Sequence, residues 1–187
     1  MMEFMEVIRA RRAVRDYEST LVERSDIQPL IEAAIQAPSA MNIQPWVFWV
    51  STNRRGIDKF SERAREWLLN NADQNSAEVP IQRMLNDPTI SILHHAPALV
   101  LVLATSHDAQ AIEDCCLAAD HLMLAARNAG LGTCWIGLAR PWFDLSSTKI
   151  DLGLPETYRV VAPIVLGHPK AWPESQGRRA AEIHWDG

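Results

Sequence analysis

The stretch that most constrains the fold is Ala98-Leu-Val-Leu-Val-Leu-Ala104, an unbroken apolar run opened by Pro97. Successive side chains of a strand point to opposite faces, so an apolar residue at every position requires cover on both. The run therefore reads as a strand at about 98–105, buried on both faces inside a helix-covered sheet. Three more strands are expected at 46–51, 131–137 and 160–166. Helical periodicity lies between them. Phe4, Val7 and Ile8 predict a short helix over 3–12. A capping box at Ser25-Asp-Ile-Gln28 opens a helix carrying Ile27, Leu30, Ile31, Ala34 and Ile35 to Ala37. Phe60, Ala64, Trp67 and Leu68 mark a helix over 54–70. Residues 70–76 read as a polar loop, 84–95 as one or two short helices, and 144–152 as another short helix closed by Gly153 and Pro155.

The densest local signal is Ala37-Pro-Ser-Ala-Met-Asn-Ile-Gln-Pro-Trp46. Pro38 stops the preceding helix because it cannot continue the hydrogen-bond ladder. Ser39, Asn42 and Gln44 then hold polar groups between a helix end and a strand start. Such a loop is either a ligand site on a rigid frame or a plain connector. Arg9-Ala-Arg-Arg-Ala-Val-Arg15 likewise has two readings, a solvated basic helix end favoured by the macrodipole or an anion clamp.

Ser106 and Asp108 can cap the longest helix, over 109–129, with Gly130 as its C′ residue. Its broad face of small residues (Cys115, Ala118, Ala119, Ala125, Ala126) suits a core helix or a helix at a dimer interface. Gly130-Leu-Gly132 follows a helix C-terminus, where exposed carbonyls repel phosphate, so a Rossmann reading is disfavoured. Adjacent His94 and His95 diverge in direction and lack partners at ligand spacing, which argues against a metal. Cys115, Cys116 and Cys134 form neither a metal pattern nor a disulfide framework, and their apolar context makes them core residues rather than nucleophiles. A reducing, cytoplasmic setting is expected. The 187 residues fit one domain, 1–187; a formal charge of -5 argues against nucleic acid, and no run is long enough to span a bilayer.

The decapeptide resembles the signature loop of the nitroreductase family of flavoproteins, and three further passages match in order: the arginine cluster with Tyr17, the helix–glycine–strand passage at 130–138, and the tail around Arg178. The resemblance implies an α+β sandwich: a central, mainly antiparallel sheet covered by helices, with a C-terminal segment exchanged in a homodimer. It implies FMN as cofactor and NADH or NADPH as reductant. The implied flavin contacts are Arg11, Arg12, Ala13 (a serine in the family) and Arg15, then Pro38, Ser39, Ala40, Asn42 and Gln44. Trp135 and Ile136 would lie against the ring, and backbone N–H groups of Gly137 and Leu138 would reach its N5 edge. Arg178, with Arg179 as second choice, would meet the phosphate. The expected function is an NAD(P)H-dependent FMN oxidoreductase that reduces a nitroaromatic, quinone or similar small acceptor at active sites shared between two chains. The alternatives are a same-fold dehydrogenase or dehalogenase, a flavin binder without turnover, or a helical interaction module whose arginines meet an acidic partner.

Overall fold

The structure is a computed structural model that describes residues 2–71, 79–87 and 89–187. In chain order the elements are α1 (Phe4–Ala10), α2 (Arg24–Ala34), β1 (Trp46–Ser51), α3 (Arg54–Asn71), α4 (Val79–Asn86), β2 (Ala98–Ala104), α5 (Ala109–Asn128), β3 (Gly132–Trp135), α6 (Arg140–Phe143), α7 (Ser146–Asp151) and β4 (Arg159–Gly167). The strands form one antiparallel sheet in the order β1-β2-β4-β3. The class is α+β, as expected.

Every residue of β2 is fully buried, and its side chains divide by parity between two cores. Ala98, Val100, Val102 and Ala104 pack on α2 and α5, with Ile27, Leu30, Cys115, Ala119 and Leu122. Leu99, Leu101 and Leu103 pack on the opposite layer, with Ile57, Ala64, Leu93, Trp142 and Phe143. The alternation of a strand is what turns one apolar run into two cores.

Local chemistry sets the element ends. Glu3 caps α1 by accepting the N–H groups of Met5 and Glu6. The cap of α2 lies upstream of the expected box: Glu23 is the N-cap, and its N–H donates to Asp26 Oδ2 at 2.8 Å. An acid at each end of the box replaces the Ser/Gln pair, and Ser25 falls inside the first turn. The regular part of α2 stops at Ala34, and tight turns carry the chain to Ala37. Asp108 caps α5, and Leu131 N–H closes its other end onto Ala126 C=O at 2.8 Å, with Gly130 left-handed. Within 84–95 the helix ends at Asn86, and a turn follows in which His94 and His95 are both left-handed. Most of the expected polar loop, 72–76, lies outside the described residues. The third strand is shorter than the predicted 131–137, because the chain curls into a 3₁₀ turn over Gly137–Ala139.

Gly132 controls what lies beside β3. A Cβ there would come within 2.6 Å of Val14. Its absence lets the segment after α1 pair along the strand, through a parallel bridge between Ala13 and Thr133 and a 2.9 Å bond from Val14 N–H to Thr133 C=O. Beyond β4, Tyr17 bridges Pro169 and Trp172 stacks on Arg127, whose guanidinium carbon is 3.6 Å from the ring centre. From Pro173 to Gly187 the chain has no regular secondary structure and lies exposed.

Candidate active site

Three spaces hold the residues singled out by sequence. The first is the turn after β3. Ile136 N–H completes the strand by donating to Pro163 C=O at 2.8 Å, and Ala139 N–H bonds back to Ile136 C=O at 3.1 Å. The N–H groups of Gly137 and Leu138 open this turn, so neither has an acceptor within it. Neither finds one elsewhere among the described residues. The space a side chain of Gly137 would fill is open. Ile136 points into the core at 5 % exposure, so it can offer a flat ligand only its backbone, while Trp135 is half-buried.

The second space is a groove between α1 and α5, lined by Phe4, Ile8, Arg11, His121, Leu124 and Arg178. Arg11 and Arg178 thus line one groove together with Asp120, and among the described residues neither arginine forms an ion pair. Arg12 departs from its expected role: its guanidinium turns back to donate to the carbonyls of Arg9 and Arg11 at 2.7 Å each, capping the end of α1. Arg179 is exposed on the tail and is not part of the groove lining. Arg15 faces elsewhere, lining a separate cleft with Arg54, His94 and Lys170.

The third space surrounds the loop 38–44. Ser39 Oγ accepts Gln44 N–H at 3.0 Å, and Gln44 Nε2 donates to Asn42 Oδ1 at 2.9 Å. Met41, Asn42 and Gln44 are left-handed, a conformation that disfavours residues with side chains. Met41 is 93 % and Ile43 68 % exposed. The loop is anchored by Asp114, a buried acid on α5 that the sequence reading missed. Its Oδ2 accepts Ala40 N–H at 3.1 Å and its Oδ1 accepts Gln110 Nε2 at 3.2 Å. A signal was available: Asp114 stands three residues after buried Ala111 and four before buried Ala118, on the apolar stripe of α5. An acid there needs donors.

The arginine groove lies further along α5 than Asp114, against Asp120, His121, Leu124 and Asn128. Met2 N–H, at the groove, donates to Asn128 Oδ1 at 3.0 Å. From Asp114 the groove lining on α5 begins about 9 Å along the axis, at Asp120, and ends about 21 Å along it, at Asn128. No residue of loop 38–44 is part of that lining.

The thiols are buried or half-buried, and their surroundings favour the protonated form. Burial pushes Cys115 up to about 12 and raises Cys134, although Arg15 and Arg11 pull the latter the other way. A thiol held protonated is a poor nucleophile. Among the described residues no group of His, Cys, Asp and Glu could hold a metal ion, and no helix is long and apolar enough to cross a membrane.

The geometry has close counterparts. A family model described as "Nitroreductase family" matches residues 8–168. A protein of Archaeoglobus fulgidus, whose name proposes an NADH dehydrogenase/NAD(P)H nitroreductase, is 31 % identical over 171 residues, covering 91 % of this chain and 87 % of its own. An iodotyrosine deiodinase of Thermotoga neapolitana is 25 % identical over 171 residues, covering 88 % of this chain and 87 % of its own. Among solved structures, a nitroreductase with bound FMN from Bacteroides fragilis superposes with a TM-score of 0.86 at 26 % identity, over 100 % of both chains.

Proposed function

The chain belongs to the nitroreductase family, and from that membership we propose that it is an FMN-dependent oxidoreductase. It takes hydride from NADH or NADPH and reduces a nitroaromatic, a quinone or a similar small acceptor. The observation that carries this reading is the pair of N–H groups at Gly137 and Leu138 that have no acceptor among the described residues, beside open space. That donor pair suits the polar edge of a flat ring. Bound FMN supplies the redox chemistry, accepting two electrons from the nicotinamide and delivering them to the acceptor.

The residues of the chain then have separate tasks. Gly137 and Leu138 hold the polar edge of the ring through backbone N–H groups, which needs no side chain at either position. Arg11 and Arg178 neutralise the phosphate from the groove. Ser39, Asn42 and Gln44 offer polar contacts from loop 38–44, and Asp114 holds that loop in place. No residue of loop 38–44 lines the groove that holds Arg11 and Arg178, which supports a site built from two chains. We assign the loop to one protomer and the arginines to the other. The exposed Met41 and Ile43 and the open apolar groove at Phe4 and Ile8 give the pairing its buried surface.

The deciding experiment is direct. The purified protein should be yellow, and NADH or NADPH oxidation should accelerate when menadione or a nitrofuran is added. A colourless protein that takes up no FMN refutes the proposal. The deiodinase relative supports a second reading, reductive dehalogenation at the same site, which halide release from an iodophenol would reveal.

A further inference from the structure

Arg178 reaches the groove beside Arg11 from a tail that no hydrogen bond or ion pair ties down. Among the described residues, the stretch from Ala171 to Gly187 makes neither with the rest of the chain. Its own bonds are local, such as Gly177 N–H to Ser175 Oγ at 3.2 Å and Arg178 Nη1 to Gly177 C=O at 2.9 Å. The last bond before it runs from Lys170 N–H to Asp16 C=O at 3.2 Å. Every residue from Pro173 onward is exposed, but Trp172 is half-buried. Its ring packs against the core that holds Val14 and Tyr17, and the Arg127 guanidinium lies over it, the carbon 3.6 Å from the ring centre. Arg127 Nε is buried without a hydrogen-bond partner among the described residues. The negative face of an indole is a suitable contact for a cation so placed. Arg127 stands in the last turn of α5, and the next residue, Asn128, lines the groove. Stack and groove thus meet at one helix end.

We propose that Trp172 is a positioning residue for the flavin phosphate: stacked on Arg127, it roots the tail at the end of α5 and so keeps Arg178 beside Arg11. The proposal rests on the flavoenzyme reading above for the phosphate, but the rooting is a property of the chain itself. The span from Trp172 to Arg178 is at most about 20 Å when fully extended, and left-handed Gly177 turns the chain just before the arginine. A short tether of this kind delivers its end to a groove only if its root is fixed. Without the ring, the free segment begins at Lys170, and an exposed segment with few buried contacts opens readily. Arg178 then stands in the groove for a fraction of the time, and the affinity it confers falls by that fraction. Trp172 touches neither flavin nor acceptor in this arrangement; it acts through Arg178.

The test dilutes flavin-loaded protein and reads the dissociation constant from the fluorescence of released flavin, once with FMN and once with riboflavin. Trp172→Ala should weaken FMN about three- to tenfold and leave riboflavin, which has no phosphate, unchanged. Trp172→Phe keeps an aromatic face over Arg127 and should restore most of the loss. Arg127→Met removes the other half of the stack and should reproduce Trp172→Ala, which keeps the test open if the alanine variant fails to fold. In an Arg178→Ala background, Trp172→Ala should cost FMN nothing further, because the ring acts only through that arginine. A ring that merely stabilised the fold would weaken both flavins and would do so in either background. Equal losses for the two flavins, the same loss with and without Arg178, or no loss in Trp172→Ala and Arg127→Met overturns the positioning role. A protein that takes up no FMN fails the flavoenzyme reading instead. Limited trypsin digestion then decides the rooting: cleavage after Arg178 should be faster in Trp172→Ala and Arg127→Met than in the wild type or Trp172→Phe, and equal rates in all four refute it.

Discussion

Arg11 and Arg15 are close in sequence yet face different spaces, and their effects should separate accordingly. Arg11 meets Arg178 in the α1–α5 groove, whereas Arg15 opens onto the cleft with Arg54 and His94. Removing a charge-assisted hydrogen bond costs about 1.5–3 kcal/mol, or about ten- to hundredfold in affinity. Arg11→Ala should therefore weaken FMN by that factor while leaving riboflavin, which has no phosphate, nearly unaffected. Arg15→Ala should not discriminate between the two flavins. Fluorescence titrations with both ligands decide it, and equal losses in Arg11→Ala would remove that arginine from the phosphate. His94 permits a second test at this scale. Its folded pKa is depressed from 6.5 to about 4, chiefly by burial and then by Arg15 and His95. Between those values the unfolded chain binds more protons than the folded one, so stability rises with pH across the window and is lost as pH falls from 6.5 towards 4. His94→Asn removes the titrating group and suits the left-handed backbone. Its melting temperature should thus fall less than that of the wild type between pH 7 and pH 5. Parallel declines would show that His94 contributes nothing to the acid sensitivity.

Among the elements, α6, α7 and the start of β4 are joined by a polar cluster that no sequence pattern announced. Lys149 is only 3 % exposed, and its Nζ donates to the carbonyls of Glu156 and Tyr158 at 2.8 and 2.9 Å. Asp144 sits beside it, accepting Val160 N–H at 2.9 Å and pairing with Arg159 at 2.7 Å. Lys149→Met keeps the volume but leaves two carbonyls and part of a carboxylate without partners. Breaking a buried charged cluster in this way costs about 3–5 kcal/mol. Urea unfolding should show most of that loss, and a change below about 1 kcal/mol would mean the carbonyls find water instead. The contrast with β2 explains what sequence could and could not show. Apolar periodicity is a local signal, so β2, β1, α5 and the end of α2 were legible to within a few residues. The family-like loop at 37–46 was legible as a motif. The acid box at Glu23 and Asp26 escaped because the Ser25/Gln28 pair offered the commoner spelling of the same cap. Asp114, Lys149 and the Arg54–His94–Lys170 cleft depend on contacts between distant segments, and no spacing within one segment encodes those.

At the scale of the whole molecule, the unresolved demand is surface. Among the exposed apolar side chains are Met41 and Ile43 on the loop, Phe4 and Ile8 along the groove, and Ile183 and Trp185 on the tail. An exposed apolar groove suits cover by a partner. The groove says what the partner must supply, since no residue of loop 38–44 lines it within one chain. A two-fold pairing would bring the loop of each chain to the groove of the other, making two equivalent composite sites. The consequence is countable. Let one chain carry Arg11→Ala and Arg178→Ala, and another Ser39→Ala and Asn42→Ala, each inactive as a homodimer. In the mixed dimer of a shared-site enzyme, one site collects all four lesions and the other collects none. About half of the wild-type activity and flavin content should then return. If each site lay within one chain, both sites of the mixed dimer would remain damaged and nothing would return. Different affinity tags on the two chains allow the heterodimer to be isolated in two steps. An inactive, flavin-free heterodimer would refute the composite site even in a protein whose wild type is a yellow reductase, and would require loop 38–44 to act somewhere other than at the flavin.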